Sequence, residues 1–241
     1  MTSHRSNAVE WALRGASLLL LLAASCVVSP QPIPPGDEPD LDGDGITVVE
    51  TSAEDIVGLI SFTAAANTVD PATGQVIVTN LETADAPSFV SVQADGSFSV
   101  ALAGAPTDVI RFQVKQALRS QPVDLRIDAT AQAVVLVEDT PSCFVIEPAR
   151  YAPLEGAGDA VSLVLRNDCE ADVRIATPRL RRGQASFTFS PTDSLSIEPG
   201  GVSFITVQRE SSDGEVEDVL LLDVIEPEPT RRAITLTIPD N

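Results

Sequence analysis

Ser97-Phe98-Ser99-Val100-Ala101-Leu102 and Val123-Asp124-Leu125-Arg126-Ile127-Asp128 are the two stretches on which the fold class turns. Side chains along a β-strand point alternately to opposite faces, so this alternation marks strands with one face turned to a core. Working outward, the same texture runs from Ile46 to the C-terminus: short β-branched runs broken by Gly, Pro, Asp and Asn. The first half reads as strands over 46–51, 56–65, 75–83, 88–94, 97–103, 108–115, 123–128 and 133–138. The second half reads as strands over 143–147, 160–167, 172–180, 185–190, 195–198, 202–209, 218–226 and 232–238. Asp95-Gly96, between two such runs, is a hairpin signal because that pair accepts the positive φ a tight reversal needs. Glu198-Pro199-Gly200-Gly201 and Ser211-Ser212-Asp213-Gly214 are turns by composition. No long stretch sustains a 3.6-residue period.

Eight short strands in each block of about 95 residues is the size of a sandwich domain. The expectation is an all-β chain of two tandem Ig-like β-sandwich domains, 46–139 and 140–241. The boundary falls at the polar break Glu138-Asp139-Thr140-Pro141. Ahead of them lie a segment 1–25 and an acidic, Pro-rich linker 26–45.

The chain has 241 residues, 44% of them hydrophobic, with 35 Asp+Glu against 15 Lys+Arg and a formal charge of −20. A phosphate backbone needs a basic counter-surface, so nucleic acid is excluded as a partner. His4, Trp11 and Met1 are each the single residue of their type and all lie in the first eleven positions. Removal of the N-terminus would leave a protein without imidazole, so Ser/His/Asp and Cys/His catalysis would be impossible. Gly156-Ala157-Gly158-Asp159 lacks the lysine of a phosphate cradle. The expectation is a protein that is not an enzyme.

Arg5 and Arg14 precede an apolar run from Ala16 to Ala24 that ends in small residues, the pattern of a secretory signal. From Ala16 to Val28 the run is too short for the ~20 residues a spanning helix needs. Leu22-Ala23-Ala24-Ser25-Cys26 resembles the lipobox of bacterial lipoproteins, departing from it in Ala23, where leucine is favoured. The resemblance implies diacylglyceryl transfer to Cys26, cleavage before it, and a membrane partner through the lipid. A palmitate-type chain adds about 0.8 kcal/mol per buried methylene, and more than one chain makes attachment stable. Val27 is not the aspartate associated with inner-membrane retention, which implies lipid-anchored residence at the outer membrane of the cell envelope, facing the periplasm or the surface. Pro30, Pro32, Pro34, Pro35 and Pro39, mixed with acidic residues, favour an extended spacer.

Cys143 and Cys169 remain after processing. An even pair in an exported chain reads as a disulfide joining neighbouring strands, the alternative being two separate buried thiols. Two sulfurs without histidine cannot fill a structural zinc shell.

The second half resembles Ig-like domains of the ASPM/SPD-2/Hydin type. The residues that carry the likeness are Val161-Ser162-Leu163-Val164-Leu165-Arg166-Asn167, Phe187-Thr188-Phe189, and Leu195-Ser196-Ile197-Glu198-Pro199-Gly200-Gly201 leading into Phe204-Ile205-Thr206-Val207. The first half resembles Ig-like or carboxypeptidase-regulatory-like modules through Ala94-Asp95-Gly96-Ser97-Phe98-Ser99-Val100. These resemblances imply structural, adhesive or assembly roles with a protein or glycan partner, and bring no catalytic residues.

Asp40-Leu41-Asp42-Gly43-Asp44-Gly45 opens like a calcium loop, with alternate aspartates able to converge on one ion. The closing position is Thr51, with Glu50 one residue early, so the alternatives are calcium as a cofactor held by Asp40, Asp42 and Asp44, or simply the acidic end of the linker. Arg179, Arg181 and Arg182 read as charges guarding an exposed strand edge, or as a partner-binding fork.

Overall fold

The computed structural model describes residues 38–49, 58–116, 119–154, 157–183, 186–210 and 217–237. Cys26 and the whole signal-like segment lie outside the described residues.

Among the described residues the first half contributes ten strands: β1 (Asp40–Leu41), β2 (Ile46–Val49), β3 (Leu59–Ala64), β4 (Val69–Asp70), β5 (Gln75–Asn80), β6 (Ser88–Ser91), β7 (Phe98–Ala103), β8 (Val109–Lys115), β9 (Val123–Ile127) and β10 (Val134–Leu136). A three-stranded sheet in the order β2-β3-β7 faces a five-stranded sheet in the order β10-β9-β8-β5-β6, and β1 pairs with β4. Between the sheets sits a core containing Phe62, Phe98, Phe112, Ile110 and Ile127. The Phe62 and Phe112 rings meet edge to face, 5.5 Å apart and 74° inclined, an arrangement that aligns a positive ring edge with a negative ring face.

The second half contributes β11 (Phe144–Glu147), β12 (Tyr151–Pro153), β13 (Ala160–Asn167), β14 (Val173–Ile175), β15 (Arg179–Leu180), β16 (Phe187–Ser190), β17 (Leu195–Ile197), β18 (Val202–Arg209), β19 (Glu217–Glu226) and β20 (Thr230–Thr237). Here the sheet β11-β13-β18-β16 faces the sheet β12-β20-β19-β14-β17, with β15 also on β19. Phe144, Leu163, Leu165, Ile205, Leu220, Leu222, Ile234 and Leu236 fill the core between them. The all-β, two-sandwich expectation is therefore met, and each of the sixteen expected runs carries a strand.

Cys143 and Cys169 are bonded, S–S 2.00 Å, across a separation of 26 residues. They flank the antiparallel pair β11 and β13, where Phe144 lies opposite Asn167. Closing a loop of that length stabilises by about 3.5 kcal/mol in the chain-entropy model. Asn167 beside it is fully buried. Its side chain donates to the Ala171 and Ile197 carbonyls and accepts from the Cys169 amide, tying two loops to the end of β13.

Several expectations need correction. Residues 26–45 are not wholly linker. Asp40–Leu41 is a strand in register with Val69 and Asp70, because Leu41 has a core to enter and is buried there. The run 172–180 splits into two short strands, β14 and β15. Tyr151–Pro153, which has no alternation to announce it, joins β20 in parallel. Asp95-Gly96 does form a tight turn, with the Gln93 amide donating to the Ser97 carbonyl and Gly96 at φ +84°. The flanking strands then part: β6 pairs with β5 and β7 with β3. The turn thus carries the chain from one sheet to the other instead of closing a hairpin. A side chain at Gly96 would press on the Val69 carbonyl at 2.7 Å, which gives a second reason for glycine there.

Candidate functional site at the junction of the two sandwiches

Alternation in β8 and β9 sends Ile110, Phe112, Val114, Leu125 and Ile127 to the first core. The opposite face carries Arg111, Gln113 and Asp124, and these too are buried. That polar face packs against β19 and β20 of the second sandwich. There Leu221 lies opposite Ala233 and Val219 opposite Thr235, and Val219, Leu221 and Ala233 cluster with Leu81 and Val109 of the first sandwich. The two sandwiches share a buried face within one compact unit.

Arg111 is the centre of that face, only 2% exposed. Its guanidinium forks onto Asp124, with Nε and Nη2 each 2.7 Å from a carboxylate oxygen. The remaining N–H groups cross the junction, donating to Thr235 Oγ1 at 3.0 Å, the Ala233 carbonyl at 2.7 Å and the Arg150 carbonyl at 3.3 Å. A buried charge is tolerated only when paired and fully hydrogen-bonded, and Arg111 meets that condition using acceptors from both sandwiches. Around it Arg119 pairs with Glu217 at 2.8 Å, and Arg231 bridges Glu82 and Asp223, 2.6 Å from each. Arg150 and Arg232 converge on Asp139, at 2.7 and 2.6 Å.

Asp139 lies at the expected domain boundary. Burial on its own would raise its pKa, but the hydrogen bonds and charges of Arg150 and Arg232 outweigh that and hold it below the ordinary 3.8. A carboxyl whose folded pKa is depressed contributes stability above its unfolded pKa and loses it as the pH falls through the folded value. Asp139→Asn should therefore lower Tm at pH 7, and the gap from wild type should close as the pH falls below about 4. Thermal melts across that range check it.

The arginine cluster divides its roles. Arg179 is exposed near Asp223 at 3.6 Å, as an edge guard would be. Arg181 is buried and donates across the junction to the Asn80 and Thr83 carbonyls at 3.0 and 2.6 Å. Edge protection is thus not its role. The aspartates expected to hold calcium are not gathered on a common point. Asp40 accepts from the Leu41 amide at 2.9 Å, and Asp42 accepts from the Asp44 amide at 3.0 Å as the cap of the short 3-10 turn Gly43–Gly45. Among the described residues no three Asp, Glu, His or Cys side chains form a metal-holding group. Pairing of β1 with β4 holds Asp40 in extended backbone, while Asp42 caps the turn that follows.

At one end the sandwiches part to leave a groove of about 540 Å³, lined by Glu82, Thr107, Asp108, Val109, Arg126 and Arg231. Thr107 has φ +74°. This left-handed backbone costs a β-branched residue on the order of 1–2 kcal/mol. It is held by the Thr107 amide donating to the Ile127 carbonyl and the Ile127 amide to the Asp108 carbonyl, at 3.1 and 2.9 Å. Sequence reasoning missed both the junction and the groove. The available signal lay in Val219-Leu220-Leu221-Leu222 and Val76-Ile77-Val78, whose continuous apolar character marks strands covered on both faces.

Among the described residues no helix is long and apolar enough to cross a membrane. No protein-family model matches the chain, and no curated protein does. Among solved structures it is similar to a member of the MSP family of C. elegans, at 10% identity over 40% of this chain and 98% of that one, TM-score 0.34. It is similar also to a glycosyl hydrolase family 2 member of Bacteroides cellulosilyticus, at 10% identity over 83% of this chain and 29% of that one, TM-score 0.27. A protein of Corynebacterium diphtheriae described as membrane-anchored matches at 10% identity over 85% of this chain and 59% of that one, TM-score 0.24.

Proposed function

We propose that this chain is a lipid-anchored protein of the bacterial cell envelope with a non-catalytic structural, adhesive or assembly role. The observation that carries the reading is the junction itself. Two sandwiches joined only by a tether would leave the outward faces of β8, β9, β19 and β20 in water. Here those faces are buried against each other and cross-bonded through Arg111, Arg181 and Arg231. The arrangement suits a platform that holds its edges and loops in a fixed relation, as a spacer or adaptor requires. The charge of −20 suits a protein that stays soluble in an exposed compartment and keeps off anionic surfaces unless tethered. The tether is Cys26, carrying acyl chains on the processed N-terminus, and the outer membrane is its place of residence.

The test is a comparison of wild type and Cys26→Ser expressed in a Gram-negative host. Wild type should sediment with membranes, and its N-terminal peptide should carry the mass of a diacylglyceryl group on Cys26. The serine variant should appear in the soluble fraction. Equal sedimentation of the two, with no added mass, rejects the anchor.

A further inference from the structure

The groove at the end of the junction holds an arginine without an ion-pair or hydrogen-bond partner among the described residues. Arg126 projects from β9 on the same face as Asp124, and its opposite number on β8 is Val109. Carboxylates outnumber basic side chains 35 to 15 in this chain. Even so, Arg126 makes no ion pair or hydrogen bond with another described residue, and the acids around it are committed elsewhere. Asp124 is forked by Arg111. Asp108 accepts from Asn80 Nδ2 at 2.8 Å and the Ala105 amide at 3.0 Å. Asp128 accepts from the Thr130 hydroxyl and the Gln132 amide, and Glu82 holds Arg231. A guanidinium presents a planar fork that matches the two oxygens of a carboxylate.

We propose that the groove lined by Thr107, Asp108, Val109, Arg126 and Glu82 binds a zwitterionic, amino-acid-like group: its carboxylate on Arg126, its ammonium on the Glu82 and Asp108 side. Both acids are acceptors with lone pairs beyond those used by Arg231, Asn80 and Ala105, so they can take the donors of an ammonium. The charge of the whole chain selects among anions. A phosphate dianion would meet the field of a strongly acidic protein, whereas a zwitterion enters with no net charge to repel. Clefts between modules are also where small ligands are most often held. The assignment goes beyond the anchoring role and does not depend on acylation of Cys26.

The test is NMR titration of the ¹⁵N-labelled full chain in detergent micelles with the dipeptide alanyl-alanine. Saturable shifts are expected for the Arg126 Nε–H and for the amides of Thr107, Asp108 and Val109. Acetylating the dipeptide's amino group, or amidating its carboxylate, should each weaken binding at least tenfold. Arg126→Gln should remove the response, while Arg166→Gln, at an exposed pair with Asp168, should leave it unchanged. The proposal is overturned by linear, unsaturated shifts, by capped dipeptides binding as well as the free one, or by an unchanged response in Arg126→Gln. Inorganic phosphate or glucuronate saturating the same signals as strongly would overturn it too, making the groove a general anion site.

Discussion

Arg111→Ala is expected to lower the free energy of unfolding by about 3–5 kcal/mol, because it strands Asp124 as a buried carboxylate without its counter-charge. Asp124 is only 6% exposed, and the nearest replacement cation, Arg150, is 3.6 Å from its Oδ2 and already occupied by Asp139. The same change removes the donors to Thr235 and Ala233, leaving acceptors in the second sandwich unsatisfied. Urea denaturation followed by far-UV circular dichroism measures the loss. The double variant Arg111→Met, Asp124→Leu removes both charges together and should recover a large part of it, since a buried ion pair is replaced by apolar groups at little net cost. If the single variant were as stable as wild type, the junction would not be a structural element and the platform reading would fall with it.

Phe112→Ala should cost about 3–5 kcal/mol. Phe112 is fully buried and touches both Phe62, edge to face, and Phe98, with ring centroids 6.2 Å apart. Truncation loses the transfer free energy of the ring and leaves a void whose walls are held by strands on both sides. β8 also carries Arg111 one residue away, so a shift of the strand to fill the void would disturb the fork on Asp124. The two variants report on opposite faces of one strand. Phe112→Ala weakens the first core, Arg111→Ala the contact with the second sandwich, and additivity of the two is not expected at neighbouring positions.

How far the residues spoke for themselves depended on whether one face or two were covered. Ser97–Leu102 and Val123–Asp128 announced strands correctly, because alternation is a local property of the pleat and does not depend on what lies opposite. The Cys143–Cys169 pair was legible as well, since the two are an even pair and each borders an apolar run. Asp124 and Arg126, by contrast, look alike in the sequence. Both are charged side chains on the outward face of the same strand. One is locked in a buried fork and the other lines a groove without a partner among the described residues, and only the arrival of β19 and β20 separates them. Arg181 makes the same point within a run of three basic residues. Asp40, Asp42 and Asp44 have the spacing of a cation loop, and nothing in that spacing announces that Leu41 pairs with Val69 in a neighbouring strand.

The order of residues alone determined that this chain is built of strands, where sixteen of the strand-bearing runs lie, and that a cysteine pair borders two neighbouring strands. These follow from period, composition and turn chemistry, all of which act over a few residues. Tertiary structure decided that Asp95-Gly96 changes sheets and that the two sandwiches meet face to face. It also decided which charged side chains are buried and that a groove is left where the sheets part. Those outcomes depend on contacts between segments as far apart as Arg111 and Thr235. A polar residue on an outward face carries no mark of whether water or another sheet will cover it.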